Sequence, residues 1–176
     1  AATFVDDVRG AWMTPGLLHI HTHEDLEAEL DPGLPEVVRH GTTSVVVGNC
    51  SIGLAFGNQR RNDQDPIVDC FARVENIPKP VLRRAAEKAV WDNPQDYLNH
   101  LDDLPLAANM APFLPHSMLR IEVMGLDDSV NRDPTKAEID RMAGILEEAM
   151  QAGYLGMSTD GLPLHFLANQ PNLKKR

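Results

Sequence analysis

The chain has 176 residues, enough for one domain with a substantial core, and 26 acidic against 16 basic side chains give a formal net charge of −10. This acidity, without a basic stripe interleaved with aromatic residues, excludes nucleic acid as an expected partner. No apolar run approaches the roughly 20 residues that cross a bilayer, and the opening AATFVDDVRG lacks the layout of a signal peptide. We therefore expect a soluble, cytoplasmic protein without a membrane partner.

The beginning of the chain predicts two strands joined through a helix. Residues 12–20 contain a Pro-Gly turn followed by LLHI, which is typical of a short buried strand. Residues 34–40 have apolar side chains at helical spacing and predict a short helix that Gly41 ends. The uniformly apolar, β-branched run 42–48 predicts a parallel strand covered on both faces. Together these elements form a β-α-β unit.

The middle of the chain is less regular. Residues 51–88 contain many Gly, Asn, Asp and Pro residues and predict a long excursion with one or two helices. Asn93 followed by Pro94 predicts the start of a helix that ends near Asp103. Of the two apolar segments that follow, 106–114 is a better strand candidate than 121–124.

Residues 135–153 predict the clearest helix of the chain. Thr135 and Glu138 match a capping box, and Gly153 supplies the stop. The next residues, YLGMST at 154–159, predict another short strand. Because strands alternate with helices, the sequence predicts an α/β fold with parallel strands, in which functional groups gather at the C-terminal ends of the strands.

Three histidines, His19, His21 and His23, stand at alternate positions where the first predicted strand ends. Side chains at i and i+2 of a strand point to the same face, so a His-x-His pair is a compact two-nitrogen clamp. Imidazole suits zinc and other late divalent metals, and Glu24 and Asp25 are placed to orient the rings or to add an oxygen ligand. The alternative is a solvated loop whose histidines bind nothing.

Cys50 closes the run VVVGNC at the end of the second predicted strand. A β-α-β unit would bring it beside the histidines of the first strand, and two imidazoles with one thiolate favour zinc over magnesium or calcium. The alternative for Cys50 is a small buried hydrophobic residue. Cys70, the second cysteine, is expected to be packed in the core, because nothing near it in sequence would lower its pKa.

The residues TPGLLHIHTHED followed by HGTTSVVVGNCSIGLA resemble the N-terminal barrel region of the amidohydrolase superfamily. The resemblance is strongest to the N-acyl-D-amino-acid deacylases, or D-aminoacylases. It continues in PHSMLRIEVMG, PTKAEIDRMAGILEEAMQAG and YLGMST, and so covers most of the chain. The His-x-His pair alone would indicate only the superfamily, whereas the added Gly-Asn-Cys is more specific.

This resemblance implies a Zn²⁺-dependent hydrolase of linear amide bonds that deacylates small N-acyl-D-amino acids by metal-hydroxide attack on the acyl carbonyl. By position, His21, His23 and Cys50 match metal ligands. The implied fold is the N-terminal part of a (β/α)₈ TIM-like barrel, truncated, because a complete barrel usually takes roughly 250 residues. Residues 1–176 would then form one partial barrel domain of about four β/α units.

Several features depart from the family pattern. His19 stands where the family has Asp and is not counted as a ligand, and Ser51 and Pro115 each replace a Gly. The preceding β-sandwich, the C-terminal half-barrel, the later histidine ligands and the aspartate general base are expected to be missing. We therefore assign no catalytic residue within this chain and expect the isolated chain to be inactive.

Three residues near the third predicted strand, His116, Ser117 and Arg120, match a further segment of the family. Together with Asp25, His116 and Arg120 are candidates for orienting a ligand or contacting the substrate. The alternative, favoured for Ser117 and Arg120, is a loop whose polar groups satisfy the backbone.

Two other functions stay open at this point. One is another amidohydrolase, such as a hydantoinase or dihydroorotase relative, although those usually carry a lysine on the fourth strand and YLGMST has none. The other is a non-catalytic half-barrel domain that assembles with another chain. A half-barrel exposes unpaired strand edges and apolar helix faces, so self-association through those edges is a further expectation.

Overall fold

The computed structural model describes residues 4–57, 59 and 64–162. The strands assigned there are β1 (Leu17–His19), β2 (Thr42–Val47), β3 (Asn109–Pro112), β4 (Leu114–Pro115) and β5 (Met157–Ser158). The helices are α1 (Asp25–Leu30), α2 (Pro35–Arg39), α3 (Pro66–Val74), α4 (Lys79–Ala86), α5 (Pro94–Asp103), α6 (His116–Met124), α7 (Leu126–Asn131) and α8 (Lys136–Ala152). This alternation confirms the predicted α/β class.

Strand β2 lies at the centre of a parallel three-stranded sheet, between β1 and β3. Directly after β3, the backbone amide of Phe113 donates to the carbonyl of Val47 at 2.9 Å, and the chain then enters β4, which pairs in parallel with β5. The strands thus follow one another in chain order, and their C-terminal ends lie at one edge. Among the described residues the strands form no closed barrel, so the parallel α/β arrangement is the confirmed part of the fold prediction.

Strand β2 was predicted to be covered on both faces, and this holds only for its second half, Val45–Val47, because Thr43 is exposed and Thr42 and Ser44 are half-buried. Val45 and Val47 are fully buried, and they pack on one side with a small cluster that includes Leu34 and Val37 from the α2 region. A larger core joins α1 and the helices α3 to α8 with the loop after Cys50, which contributes Ile52, Leu54, Ala55 and Phe56. The loop that follows β2 is therefore anchored in the main core.

Strand β1 was predicted to be buried, and this prediction is wrong. Leu17 and Leu18 expose 57% and 61% of their surface. Among the described residues β1 is the edge strand of its sheet and pairs with β2 alone, and the side chains on both of its faces are exposed. An exposed apolar edge is what the expected self-association would need, and that association stays a prediction.

Two of the predicted helix starts are confirmed in detail. At α5 the Asn93 side chain accepts a hydrogen bond from the amide of Asp96 at 3.0 Å. At α8 Thr135 and Glu138 form the capping box, each side chain accepting from the other residue's amide. Helix α1, which follows the histidines directly, was not predicted. In the part of the chain that the structure describes, no helix has the length and apolarity that crossing a bilayer requires.

Gly48 sits where the chain leaves β2, in a left-handed conformation with φ of 73°, and a Cβ atom there would lie 2.3 Å from the carbonyl oxygen of Phe113. Gly41 has a similar φ of 86° with nothing within 4 Å of such an atom.

We expect Gly41→Ala to lower the free energy of unfolding by about 1–2 kcal/mol through backbone strain alone. Gly48→Ala should cost about 1–3 kcal/mol more, because the methyl group also collides with the backbone. Urea denaturation of both variants measures the difference, and equal losses would contradict the described packing.

Candidate metal centre

The structure brings His21, His23 and Cys50 together at the C-terminal ends of β1 and β2. One ligand atom from each side chain lies within 4.8 Å of the others, and Nε2 of His21 is 3.2 Å from Sγ of Cys50. The parallel pairing of His19 with Val45 aligns the two strands, so that His21 and Cys50 follow their strand ends by two or three residues. Among the described residues, this is the group of His, Cys, Asp or Glu side chains compact enough to hold a metal ion.

The two histidines reach the cluster from a loop rather than from a strand, since β1 ends at His19. Their rings are 5.8 Å apart in an edge-on arrangement. The ring of His23 also lies edge-on to Phe71 of α3, and its Nε2 is 3.7 Å from a carboxylate oxygen of Glu75. His23 is therefore held between the two ligand loops and α3, whereas His21 is exposed.

Asn49 links the two loops that carry the candidate ligands. It is buried, and its side-chain amide donates to the carbonyl of Thr22 at 3.2 Å and to the carbonyl of Val46 at 2.8 Å. Thr22 lies between the two histidines, so one side chain fixes the histidine loop relative to the end of β2. Sequence reasoning assigned no role to Asn49; its place next to Cys50 was the available signal.

Asp25 lies beneath the turn that carries Cys50, and it is not part of the compact group. Its carboxylate is 1% exposed and accepts a hydrogen bond from the amide of Gly48 at 3.2 Å. Burial raises the pKa of the Asp25 carboxyl group to about 7, although hydrogen bonds from the amides of Asp25 and Gly48 act in the opposite direction. Asp25 thus supports the Cys50 turn from the side of α1.

His116 and Arg120 on α6 are not brought into the compact group. The guanidinium group of Arg120 donates to the carbonyl of Ser129 at 2.8 Å and to that of Arg132 at 3.3 Å. These contacts match the backbone-satisfying alternative for Arg120. Burial lowers the pKa of His116, and the charge of Arg120 adds to this effect.

His19 and Cys70 both lie outside the compact group. His19 stays outside the compact group, with its Nδ1 3.8 Å from a carboxylate oxygen of Glu24. Cys70 is fully buried in α3 within the larger core. Neither side chain adds a candidate ligand to the three above.

A cavity of about 410 Å³ lies beside His23, between the histidine loop and helices α3 and α4. Apolar side chains form much of its wall, including Leu26, Phe71 and Val81, and the carboxylate-bearing residues Glu24, Glu27 and Glu75 also line it. The candidate centre therefore has a largely apolar space next to it, with three glutamate residues in its lining.

No family model matches the chain. An uncharacterised protein of Mycobacterium tuberculosis is 43% identical over 157 residues, which cover 88% of this chain and 25% of that protein. The N-acyl-D-aspartate deacylase of Alcaligenes xylosoxydans xylosoxydans is 35% identical over 156 residues, covering 88% of this chain and 28% of the enzyme. The chain thus spans about a quarter of the length of the curated relatives it matches.

Solved structures give the same relationship. A D-aminoacylase with a binuclear metal centre superposes with a TM-score of 0.62 at 29% identity, over 82% of this chain and 27% of that one. The N-acyl-D-glutamate deacylase of Bordetella bronchiseptica, solved with zinc and a phosphonate inhibitor, has a TM-score of 0.60 at 27% identity over the same shares. Sequence and fold both relate the chain to the D-aminoacylases of the amidohydrolase superfamily, which confirms the resemblance that its His-Thr-His and Gly-Asn-Cys motifs indicated.

Proposed function

We propose that this chain supplies metal ligands to a zinc-dependent hydrolase of linear amide bonds that deacylates N-acyl-D-amino acids. The observation that carries the proposal is the convergence of ligand atoms from His21, His23 and Cys50 within 4.8 Å at the ends of two parallel strands. The relatives named as N-acyl-D-aspartate and N-acyl-D-glutamate deacylases support the substrate class.

The three side chains fit a zinc ion chemically. Two imidazole nitrogens and one thiolate form a donor set that zinc prefers, whereas magnesium and calcium prefer oxygen ligands. His21, His23 and Cys50 would hold the ion, and Asn49 and Asp25 would keep the two ligand loops in place. A bound zinc ion supplies a Lewis acid that polarises a carbonyl group and lowers the pKa of water.

The charges around the cavity beside His23 favour one orientation of an N-acyl amino acid over the other. Glu24, Glu27 and Glu75 would repel the carboxylate of an N-acyl amino acid, because like charges at short range are unfavourable. The apolar wall formed by residues such as Leu26 and Phe71 suits an acyl chain instead. We therefore propose that the acyl group, rather than the carboxylate, faces this cavity.

The span of the chain bears on its activity. It covers about a quarter of its relatives, and the compact group among the described residues has three members. We propose that residues 1–176 correspond to about four β/α units of an amidohydrolase barrel. Hydrolysis would then need groups beyond the three ligands named here, and the 176-residue chain would bind metal without appreciable turnover.

The metal site can be tested by elemental analysis of the purified chain after chelator treatment and zinc reloading. We expect about one zinc ion per chain, and we expect it to be lost in His21→Ala and in Cys50→Ala because each removes a ligand. His40→Ala is the matched control, since His40 is exposed and lies outside the compact group. Unchanged zinc content in the two ligand variants would overturn the assignment.

The buried carboxyl group of Asp25 predicts a pH dependence of stability in the metal-free chain. Its pKa is about 7 in the folded chain against an ordinary value of 3.8, so between these values the folded chain keeps a proton that the unfolded chain releases. Stability should therefore fall as the pH rises from about 4 to 7, by up to about 1.4 kcal/mol per pH unit, and should level off above that range.

Asp25→Asn removes this titration and keeps an oxygen that can accept from Gly48. We expect its free energy of unfolding to vary less with pH than that of the parent, and to exceed the parent's at pH values above about 7. Asp103→Asn, at an exposed position at the end of α5, should leave the parent's slope in place. Equal slopes for the parent and Asp25→Asn in urea titrations would contradict the burial described for this group.

A further inference from the structure

The turn that carries Cys50 has an unfavourable backbone conformation. Cys50 and Ser51 are consecutive residues with positive φ, 52° and 66°, and Gly48, two residues before Cys50, is also left-handed. Each residue with a side chain in this region costs about 1–2 kcal/mol. Two in succession would relax to another shape unless the surrounding structure held them.

Ser158, from β5, contributes one of the contacts that hold this turn. Its hydroxyl group donates to the carbonyl of Gly48 and accepts from the amide of Ser51 at 3.1 Å. One hydroxyl therefore joins the two ends of the segment that has Cys50 inside it. Ser158 is itself fixed, because β5 pairs with β4 in the register Pro115↔Ser158.

Ser51 has a second set of contacts that serve a different purpose. Its hydroxyl oxygen accepts from the amide of Ser117 at 2.7 Å and lies 2.8 Å from the Ser117 hydroxyl. Helix α6 has no side-chain cap of its own at Pro115, so Ser51 satisfies an amide in its first turn. The contacts with Ser117 join the turn to α6, whereas the contacts with Ser158 join Gly48 and Ser51, the two ends of the turn that contains Cys50.

We propose that Ser158 is a positioning residue for the metal centre: its hydroxyl group holds the Gly48 to Ser51 turn in the shape that presents the Cys50 thiol to the metal. The inference rests on the proposed metal site. It adds to that site a residue of β5, besides the ligands that follow β1 and β2. The position of Sγ, 3.2 Å from Nε2 of His21, depends on the left-handed backbone at Cys50. Without the Ser158 hydroxyl the backbone can relax, and the thiol then moves away from the two imidazoles.

The test compares four variants of the 176-residue chain. Ser158→Ala removes both contacts to the turn, and Ser158→Thr keeps a hydroxyl group that can donate and accept. Ser117→Ala removes the hydroxyl–hydroxyl contact between α6 and Ser51, keeps the backbone amide that donates to Ser51, and leaves the Ser158 contacts intact. Thr159→Ala removes an exposed hydroxyl group next to Ser158 as the matched control. Zinc affinity is measured by competition with a chelator, and cobalt substitution reports the thiolate-to-metal charge-transfer band.

We expect Ser158→Ala to weaken zinc binding by about 10-fold to 100-fold and to change the cobalt charge-transfer band, because a ligand's support has been lost. Ser158→Thr, Ser117→Ala and Thr159→Ala should keep an affinity and a spectrum close to those of the parent. Parent-like binding in Ser158→Ala would overturn the inference, as would an equal loss in Ser117→Ala, which would indicate a general effect on folding.

If circular dichroism shows that Ser158→Ala does not fold, the other variants decide. A folded Ser158→Thr with parent-like affinity and band, beside an unaffected Ser117→Ala, supports the positioning role, and weakened binding in either overturns it. The two proposals fail in different ways. If the parent binds zinc and Ser158→Ala binds it equally well, this inference alone is wrong. If the parent does not bind zinc, the proposed metal site and this inference are both wrong.

Discussion

The parallel pairing of β1 with β2 is the constraint on which the candidate centre depends. Because parallel strands end at the same edge of a sheet, a ligand pair after one strand and a ligand after the next meet without any special long-range device. Here His21 and Cys50, far apart in sequence, come within 3.2 Å through their donor atoms. Burial of Val45 and Val47 fixes β2, and β2 in turn fixes the edge at which the ligands meet.

In addition to the strand pairing, the hydrogen bonds of three polar side chains hold the loops of the site in place. Asn49 joins the loop of the histidines to the end of β2, Asp25 accepts from Gly48 below the turn, and Ser158 closes the turn from β5. Their contacts offset the cost of left-handed residues at Cys50 and Ser51. Backbone strain and buried polar side chains thus occur together at the turn that carries Cys50, the proposed metal ligand.

Local patterns in the sequence account for much of this architecture. The apolar run of β2, the Asn93 cap of α5 and the capping box of α8 are signals within a few residues, and the structure contains each of them. The motifs around His21 and Cys50 likewise indicated which side chains would meet, because parallel topology alone brings them together. The zinc ligation itself remains a proposal.

Other features could not be predicted from local sequence patterns, because they depend on residues that are distant in the chain. Ser158 lies 107 residues from Ser51, and no local pattern relates the two. Asp25 was predicted to orient the histidine rings or to add an oxygen ligand, yet α1 turns it into the interior. The exposure of β1 depends on its place at the sheet edge, which the apolar letters of LLHI do not reveal.

X-ray absorption spectroscopy of the zinc-loaded chain is the most direct test of the central claim, that the ends of β1 and β2 form a clamp of two imidazoles and one thiolate. We expect a zinc–sulfur distance of about 2.3 Å together with nitrogen ligands at about 2.0–2.1 Å, and loss of the sulfur signal in Cys50→Ala. A zinc environment of nitrogen and oxygen alone in the parent chain would contradict it.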